Sequence, residues 1–330
     1  MAETDILPSA NGSARVCFAD GTEAIVGVKA EVEKSQWRPA TGEHGLRLGS
    51  MDVDDDDQNE DGDGQGRADA ARGVGRNEWV EMSIEVPGYR DDDALPTFLA
   101  AMLTEALLAS GELKDRLWIN RRFHWKLYID ILLLSPPLSY PLPLLSLTTH
   151  LALLSARLPR LKSELDEDPL FDDDWEASTY LYPYSHNREQ RLDRPPITLL
   201  VITVGSNIIF DPSREELAVA EALLALSVGM PSSNKAPSHQ TGSLTLLAIR
   251  TIDPPSRLTP PGIPNSNDDG PAVSREETFA AREIAAAKKE CWSPPRGGIN
   301  RGLLNAIVKM TIENGGVAED MLTGLVRVQS

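Results

Sequence analysis

Two apolar-polar runs open the chain, SARVCFAD (13–20) and TEAIVGVKAEVE (22–33), on either side of Asp20-Gly21. The second run alternates small or apolar with polar residues. Together they predict a hairpin whose second strand is half-buried. EWVEMSIEVP (78–87) predicts a third strand. HWKLYIDILLLS (124–135) is almost continuously apolar at its end, as a strand inside a sheet should be. Between these strands, DDALPTFLAAMLTEALLAS (92–110) places Leu95, Phe98, Leu99, Met102, Leu103 and Leu107 on one helical face. Asp92 and Asp93 sit at its dipole-positive start, and Gly111 follows its end. PLPLLSLTTHLALLSARL (141–158) predicts a second, buried helix, with Pro143 accommodated in the first turn.

The second part of the chain repeats the theme. PPITLLVITVG (195–205) and NIIFD (207–211) predict a strand pair, and SLTLLAIRTI (243–252) a further strand. LAVAEALLALSVGM (217–230) is ambiguous: its composition favours helix, whereas a meander needs it extended. Ser274 and Glu277 form a capping box for a helix to about Cys291. RGLLNAIVKMTIENG (301–315) is helical, and a short amphipathic tail runs to Ser330. The pattern is that of an α/β (α+β) protein, one domain over 1–330 with halves at about 10–158 and 195–330. Insertions at about 35–76, 159–194, 231–241 and 253–273 interrupt it. The first has almost no large apolar residues after Leu48 and is expected to be disordered. The second, rich in acidic and aromatic residues, reads as an extended arm or loop.

Composition narrows the functional classes. A chain of 330 residues with 41% hydrophobic content can bury a substantial core. A net charge of −18 argues against a free-standing nucleic-acid binder held by phosphate contacts. Cys17 and Cys291 lie far apart, with no metal or redox spacing, which suits a reducing compartment. The start, MAETDILPSANG, lacks the pattern of a secretory signal, and the apolar stretch from Leu127 to Leu154 is broken by Asp130, four prolines and His150. The expectation is a soluble, intracellular protein without a membrane association.

Three stretches carry a resemblance: AIVGVKAEV (24–32), WKLYIDILLLS (125–135) and ITLLVITVGSNIIFDPSREE (197–216). In this order and spacing the chain resembles the ribonuclease-PH family, and within it the ring subunits of the eukaryotic RNA exosome. The resemblance covers roughly 10–34, 78–158, 195–230 and 242–315. It implies the ribosomal protein S5 domain 2-like fold, with two pseudo-related halves of mixed sheet covered by helices, and it makes 217–228 a strand against local propensity. The family's Arg-Pro-Asp-Gly-Arg-like lead is not found, so the chain is expected to start late relative to its family. The implied partners are other RNase PH-like subunits in a hetero-hexameric ring, S1/KH cap subunits, a separate catalytic nuclease, and RNA in the channel. The implied location is nucleus, including nucleolus, and cytoplasm.

Active members of that family cleave RNA from its 3′ end by phosphorolysis. The resemblance implies three requirements: two aspartates six positions apart after a strand, a Gly-rich turn with an arginine at a helix start, and arginines on the earlier helix. Asp211 matches the first aspartate, but the second position is Leu217, which can neither bind a proton nor ligate a metal. Glu215 and Glu216 are displaced by one or two residues, so that in a strand they aim differently. The turn SPPLSYPLP (135–143) has no glycine or arginine, and its prolines lack N–H donors. Arg90 lies outside the helix 92–110, which contains no arginine. The expectation is an inert subunit without cofactor, with Asp211 kept for the turn that Pro212 starts. The alternative is a phosphate-dependent 3′-to-5′ exoribonuclease using Asp211 with Glu215 or Glu216.

Other motifs add little. DVDDDDQNEDGDG (52–64) matches a calcium loop at Asp57, Asn59, Asp61 and Gly62, but Ala68 stands where the bidentate glutamate belongs. The five histidines show no metal spacing, and His150 reads as a satisfied core residue. RRFHWK (121–126), with Arg116 upstream, is the best basic-aromatic patch. Its Arg121, Arg122 and Lys126, with Arg116, are candidates for RNA or ring contacts, against the plainer reading of solvated charges before a strand. The apolar richness of 125–158 and 197–230 is expected to exceed what one monomer covers, leaving surface for neighbours.

Overall fold

The structure is a computed structural model that describes residues 1–35, 75–90, 92–164, 167–182, 194–230, 244–252 and 298–329. The first sheet contains β1 (Ala2–Thr4), β2 (Gly12–Cys17), β3 (Glu23–Lys34), β4 (Val80–Glu85) and β5 (Phe123–Leu133), in the order β1-β2-β3-β5-β4. β2 and β3 form the hairpin predicted around Asp20-Gly21, with Cys17 opposite Glu23. Gly21 takes the left-handed φ of 87° that the turn requires. β3 pairs antiparallel with β5 from Ala24↔Leu133 to Lys34↔Phe123. β4 joins the other edge of β5 in parallel, reached through helix α1 (Ala94–Ala109) and the short α2 (Glu112–Arg116). β5 is therefore internal, as its apolar run demands. Along α1, Leu99, Met102, Leu103 and Leu107 are buried, whereas Phe98 of the predicted face is 40% exposed.

Helix α3 (Leu142–Ser155) follows, then the two-residue strands β6 (Arg157–Leu158) and β7 (Thr179–Tyr180), which pair with each other. The second sheet is antiparallel throughout its described residues. It contains β8 (Ile197–Val204), β9 (Asn207–Phe210), β10 (Ala222–Gly229) and β11 (Thr245–Ile252), ordered β11-β10-β8-β9, with the short helix α4 (Arg214–Val219) between β9 and β10. The composition of 217–230 favoured helix, but Ala222–Gly229 is a strand buried at every position. It has sheet neighbours on both sides, so pairing and burial override local propensity. Helices α5 (Arg301–Ile312) and α6 (Val317–Gln329) cover this sheet, and α6 occupies the stretch expected to be a short amphipathic tail. The expected helix from Ser274 to Cys291, the acidic run 52–64 and the loops 231–241 and 253–273 lie outside the described residues.

Between the sheets runs α3. Thirteen of its residues are buried, so it has no solvent face and no amphipathic stripe. Leu142, Leu144, Leu145 and Leu151 join a core cluster that holds Val26, Ile129 and Leu133 of the first sheet and Leu200, Ile202 and Leu223 of the second. Leu147 packs with Ile197, Leu199 and Val228. Its polar residues each find a partner, although the second ring nitrogen of His150, Nε2, is buried without one among the described residues. Thr148 and Thr149 donate to Leu144 and Leu145 carbonyls at 2.7 Å. Ser146 Oγ accepts from the Thr198 N–H at 2.7 Å, and Ser155 Oγ accepts from the Ser13 N–H at 3.0 Å. One side chain thus ties the helix to each sheet. The approach to β2 is close: a Cβ at Gly12 would lie 2.5 Å from Ala156 Cα and 2.7 Å from the Ala152 carbonyl oxygen, both backbone.

Most, but not all, of the apolar richness of 125–158 and 197–230 goes into this core. β10 is buried throughout, and β8 at all but its last position. Leu132, Leu134 and Leu138 of 125–158 and Val219 of 197–230 nevertheless stay exposed. No helix among the described residues is long and apolar enough to cross a membrane.

His150 lies within α3 with its Nδ1 2.7 Å from the Pro195 carbonyl oxygen. A carbonyl only accepts, so Nδ1 carries the proton and the ring is neutral. Burial lowers its pKa to about 4, with the Pro195 hydrogen bond opposing that shift. Between pH about 6.5 and 4 the unfolded chain therefore binds a proton that the folded chain refuses. Stability contributed at neutral pH is lost as pH falls through this window, by up to roughly 3 kcal/mol. Chemical denaturation from pH 7 to 4 should show this slope, flattened in His150→Gln; an unchanged slope in the variant rules out His150 as its source.

Candidate functional site

The strand-end acids come first. β9 ends at Phe210, and the Asp211 N–H donates to the Leu200 carbonyl at 3.0 Å. Asp211 has a φ of 49°, a left-handed value that aspartate, asparagine and glycine tolerate better than other residues. Its carboxylate makes no hydrogen bond among the described residues. Although the residue is exposed on the surface, partial burial of the carboxyl raises its pKa, and the Asp20 carboxylate adds to the rise. Asp20 itself is engaged, since Thr22 donates to both of its oxygens at 2.8 Å. Sequence reading did not bring Asp20 and Asp211 together, because nothing in the local pattern of either hairpin points to the other.

Beyond Asp211 the chain turns through buried Pro212 into α4. Ser213, not Asp211, is the cap. Ser213 Oγ accepts from the Glu216 N–H at 3.3 Å, and Glu216 Oε2 accepts from the Ser213 N–H at 2.8 Å. This reciprocal pair satisfies the first amides of a helix whose sequence, SREE, spells the capping box. Glu215 and Glu216 therefore lie on a helix rather than in a strand, and Glu216 is committed to its start. Glu215 is exposed, and Leu217 is 5% exposed within the large core cluster. The position of the second acid faces the interior.

The phosphate turn is closed in the same physical sense. α3 starts at Leu142 with Pro141 as its N-cap, and no side chain caps it. Pro141 and Pro143 have no N–H to offer an anion, and Leu142, Leu144 and Leu145 at this end are fully buried. Burial alone pushes the adjacent Tyr140 hydroxyl up to about 12. Arg90, before α1, is turned toward Asp92 at 3.1 Å, while its N–H binds Asp93 Oδ2 at 2.8 Å. Among the described residues no cluster of three or more His, Cys, Asp or Glu side chains is placed to hold a metal.

The basic-aromatic patch divides: Arg116 and Lys126 are tied into the fold, whereas Arg121 and Arg122 are exposed. Arg116 Nη1 donates to the Leu181 carbonyl at 3.1 Å, and its guanidinium lies 4.9 Å from the centre of the Tyr182 ring. Arg122 pairs with Asp168 at 2.9 Å. Lys126 donates to the Glu78 carbonyl at 2.7 Å and pairs with Glu81 at 3.2 Å. Arg121 stands exposed beside them. His124, within the patch, is buried, stacks on Trp79 at 4.4 Å and meets Ser35 Oγ through Nδ1 at 2.8 Å. Burial, foremost, lowers its pKa. Several partners of the patch come from the acidic segment expected to be a loose arm. Its described residues fold back instead: Leu161 bridges Phe171, Phe171 packs on Trp125 at 5.0 Å, and Leu181 and Tyr182 are buried. The exposed Arg122–Asp168 pair contributes about 0–1 kcal/mol, so burial of the aromatic and aliphatic side chains is the main hold.

These positions define what Asp211 does. Asp211→Asn should leave the unfolding temperature unchanged or slightly raised, because it keeps the left-handed turn and removes a carboxylate whose charged form is disfavoured. Asp211→Val should cost about 1–2 kcal/mol from the left-handed backbone. If thermal melts show the asparagine variant to be as damaged as the valine one, the carboxylate holds a partner and the turn account fails.

No protein-family model matches the chain. Two curated fungal proteins do. One is "Exosome complex component RRP42" of Saccharomyces cerevisiae, 28% identical over 227 residues, or 68% of each chain. The other is "Exosome complex component rrp42" of Schizosaccharomyces pombe, 29% identical over 241 residues, covering 68% of this chain and 66% of that one. Among solved structures, one titled "Archaeal exosome core" has a TM-score of 0.44 at 20% identity, over 76% of this chain and 74% of the other. An Archaeoglobus fulgidus exosome with RNA bound to the active site has a TM-score of 0.46 at 17% identity, over 88% of each chain. Over about two thirds of its length the chain is thus similar to two fungal exosome components of the RRP42 type.

Proposed function

We propose that the chain is a catalytically inert subunit of an RNA exosome core ring. Its partners are other RNase PH-like subunits in a hetero-hexamer, capped by S1/KH subunits, and RNA passes through the channel to a separate nuclease. Its role is to frame that channel during 3′-to-5′ RNA processing and degradation, in nucleus, nucleolus and cytoplasm. The observation that carries the reading is the strand end after β9. Asp211 has only the Thr22-bound Asp20 beside it among the described acids named above, Leu217 occupies the core where a second acid would have to project, and Glu216 is tied into the helix cap. The proline-filled start of α3 supports it, because it presents apolar side chains where a phosphate would need amides. The names of the two fungal relatives support the assignment to an exosome complex.

The test uses the purified complex that contains this chain, incubated with single-stranded RNA and inorganic phosphate. Nucleoside diphosphate release attributable to this subunit should be absent, and Asp211→Asn or Glu216→Gln should change nothing. Release that Asp211→Asn abolishes would establish the phosphorolytic alternative and overturn the proposal.

A further inference from the structure

We propose that residues 167–182 are an internal mimic of single-stranded nucleic acid, seated on a binding face formed by Arg116, Arg121, Arg122 and Trp125. The segment carries six carboxylates, Glu167, Asp168, Asp172, Asp173, Asp174 and Glu176, and no lysine or arginine. It makes on that face the two kinds of contact that a nucleic-acid strand makes on a protein. A carboxylate, Asp168, meets the Arg122 guanidinium at 2.9 Å, where a phosphate oxygen would sit. An aromatic ring, Phe171, lies against the Trp125 indole at 5.0 Å and 43°, where a base would stack. Backbone carbonyls complete the seat: Glu167 accepts from Asn120 Nδ2 at 2.9 Å and Leu181 from Arg116 at 3.1 Å.

The two ends of the segment are held differently. Leu181 and Tyr182 are buried, and the Leu181 N–H donates to the Ala156 carbonyl at 2.8 Å, which anchors the C-terminal end to the core. The tip is open: Asp168 has a 78% exposed side chain, and Leu170 and Trp175 are 64% and 48% exposed. A polyanion can therefore displace the tip without unfolding the anchor. In this acidic strap Asp168 competes for Arg122 directly, at the high effective concentration of a tethered group, while Asp172, paired with Lys162 at 2.9 Å, and its acidic neighbours add a negative field beside the face. This reconciles a basic-aromatic face with an acidic chain: the face binds RNA only when the strap is weakened or displaced. The inference requires neither catalysis nor ring assembly, so it stands or falls apart from the proposed function.

The experiment measures fluorescence anisotropy of a short labelled oligouridylate against the full chain at low salt. The strap variant is Asp168→Asn, Asp172→Asn, Asp173→Asn and Asp174→Asn combined. A charge control removes four exposed carboxylates elsewhere, with Glu85→Gln, Glu215→Gln, Glu313→Gln and Asp320→Asn. The strap variant should bind roughly tenfold tighter than the native chain, with a steep salt dependence. The control should bind like the native chain, and adding Arg121→Gln and Arg122→Gln to the strap variant should cancel the gain. The proposal is overturned if the strap variant gains nothing, if the control gains as much, or if the gain survives loss of both arginines.

Discussion

Everything in this structure depends on the burial of α3 between two sheets. The helix has no solvent face, so both sheets must be in place before its leucines leave water. Its close seat on β2 requires Gly12, because a side chain there would meet helix backbone that cannot yield. The polar residues in its middle are tolerated because each has a fixed partner: threonine hydroxyls on the preceding turn, Ser146 on β8, Ser155 on β2 and His150 on Pro195. The halves of the chain thus share one core cluster rather than merely touching.

The same constraint explains what has become of the candidate site. The turn before α3 is where a family enzyme would offer backbone amides to phosphate, and here that turn belongs to the core. Prolines and leucines fill it. At the other sheet, α4 brings Leu217 inward, so an acid at that position would have to be buried without a partner. Glu216 is near in sequence but spends its carboxylate on the Ser213 amide. Leu217 after β9 and the leucines at the start of α3 belong to the same core cluster.

Much of the fold was legible in the sequence. The Asp20-Gly21 hairpin and α1 follow from periodicity and turn chemistry, and the internal strand β5 and buried α3 from their continuous apolar runs. β10 did not, because alanine and leucine have helical propensity and only its two sheet neighbours make it a strand. The SREE capping box was visible as letters, yet Asp211 looked like the cap; which side chain faces the helix amides depends on Asp211 adopting φ of 49°. The proximity of Asp20 to Asp211, and the fold-back of the acidic segment onto RRFHWK, are tertiary facts with no periodic signal. Net charge was the poorest guide, since it averages the strap with the face the strap covers.

The central claim is that a chain with a self-contained core and a closed site serves by assembly. Native mass spectrometry of the complex recovered through this chain from its own cells tests it most directly. The account predicts a single copy of the chain in a discrete assembly with several different RNase PH-like chains. A monomer, or an assembly made only of copies of this chain, would contradict it.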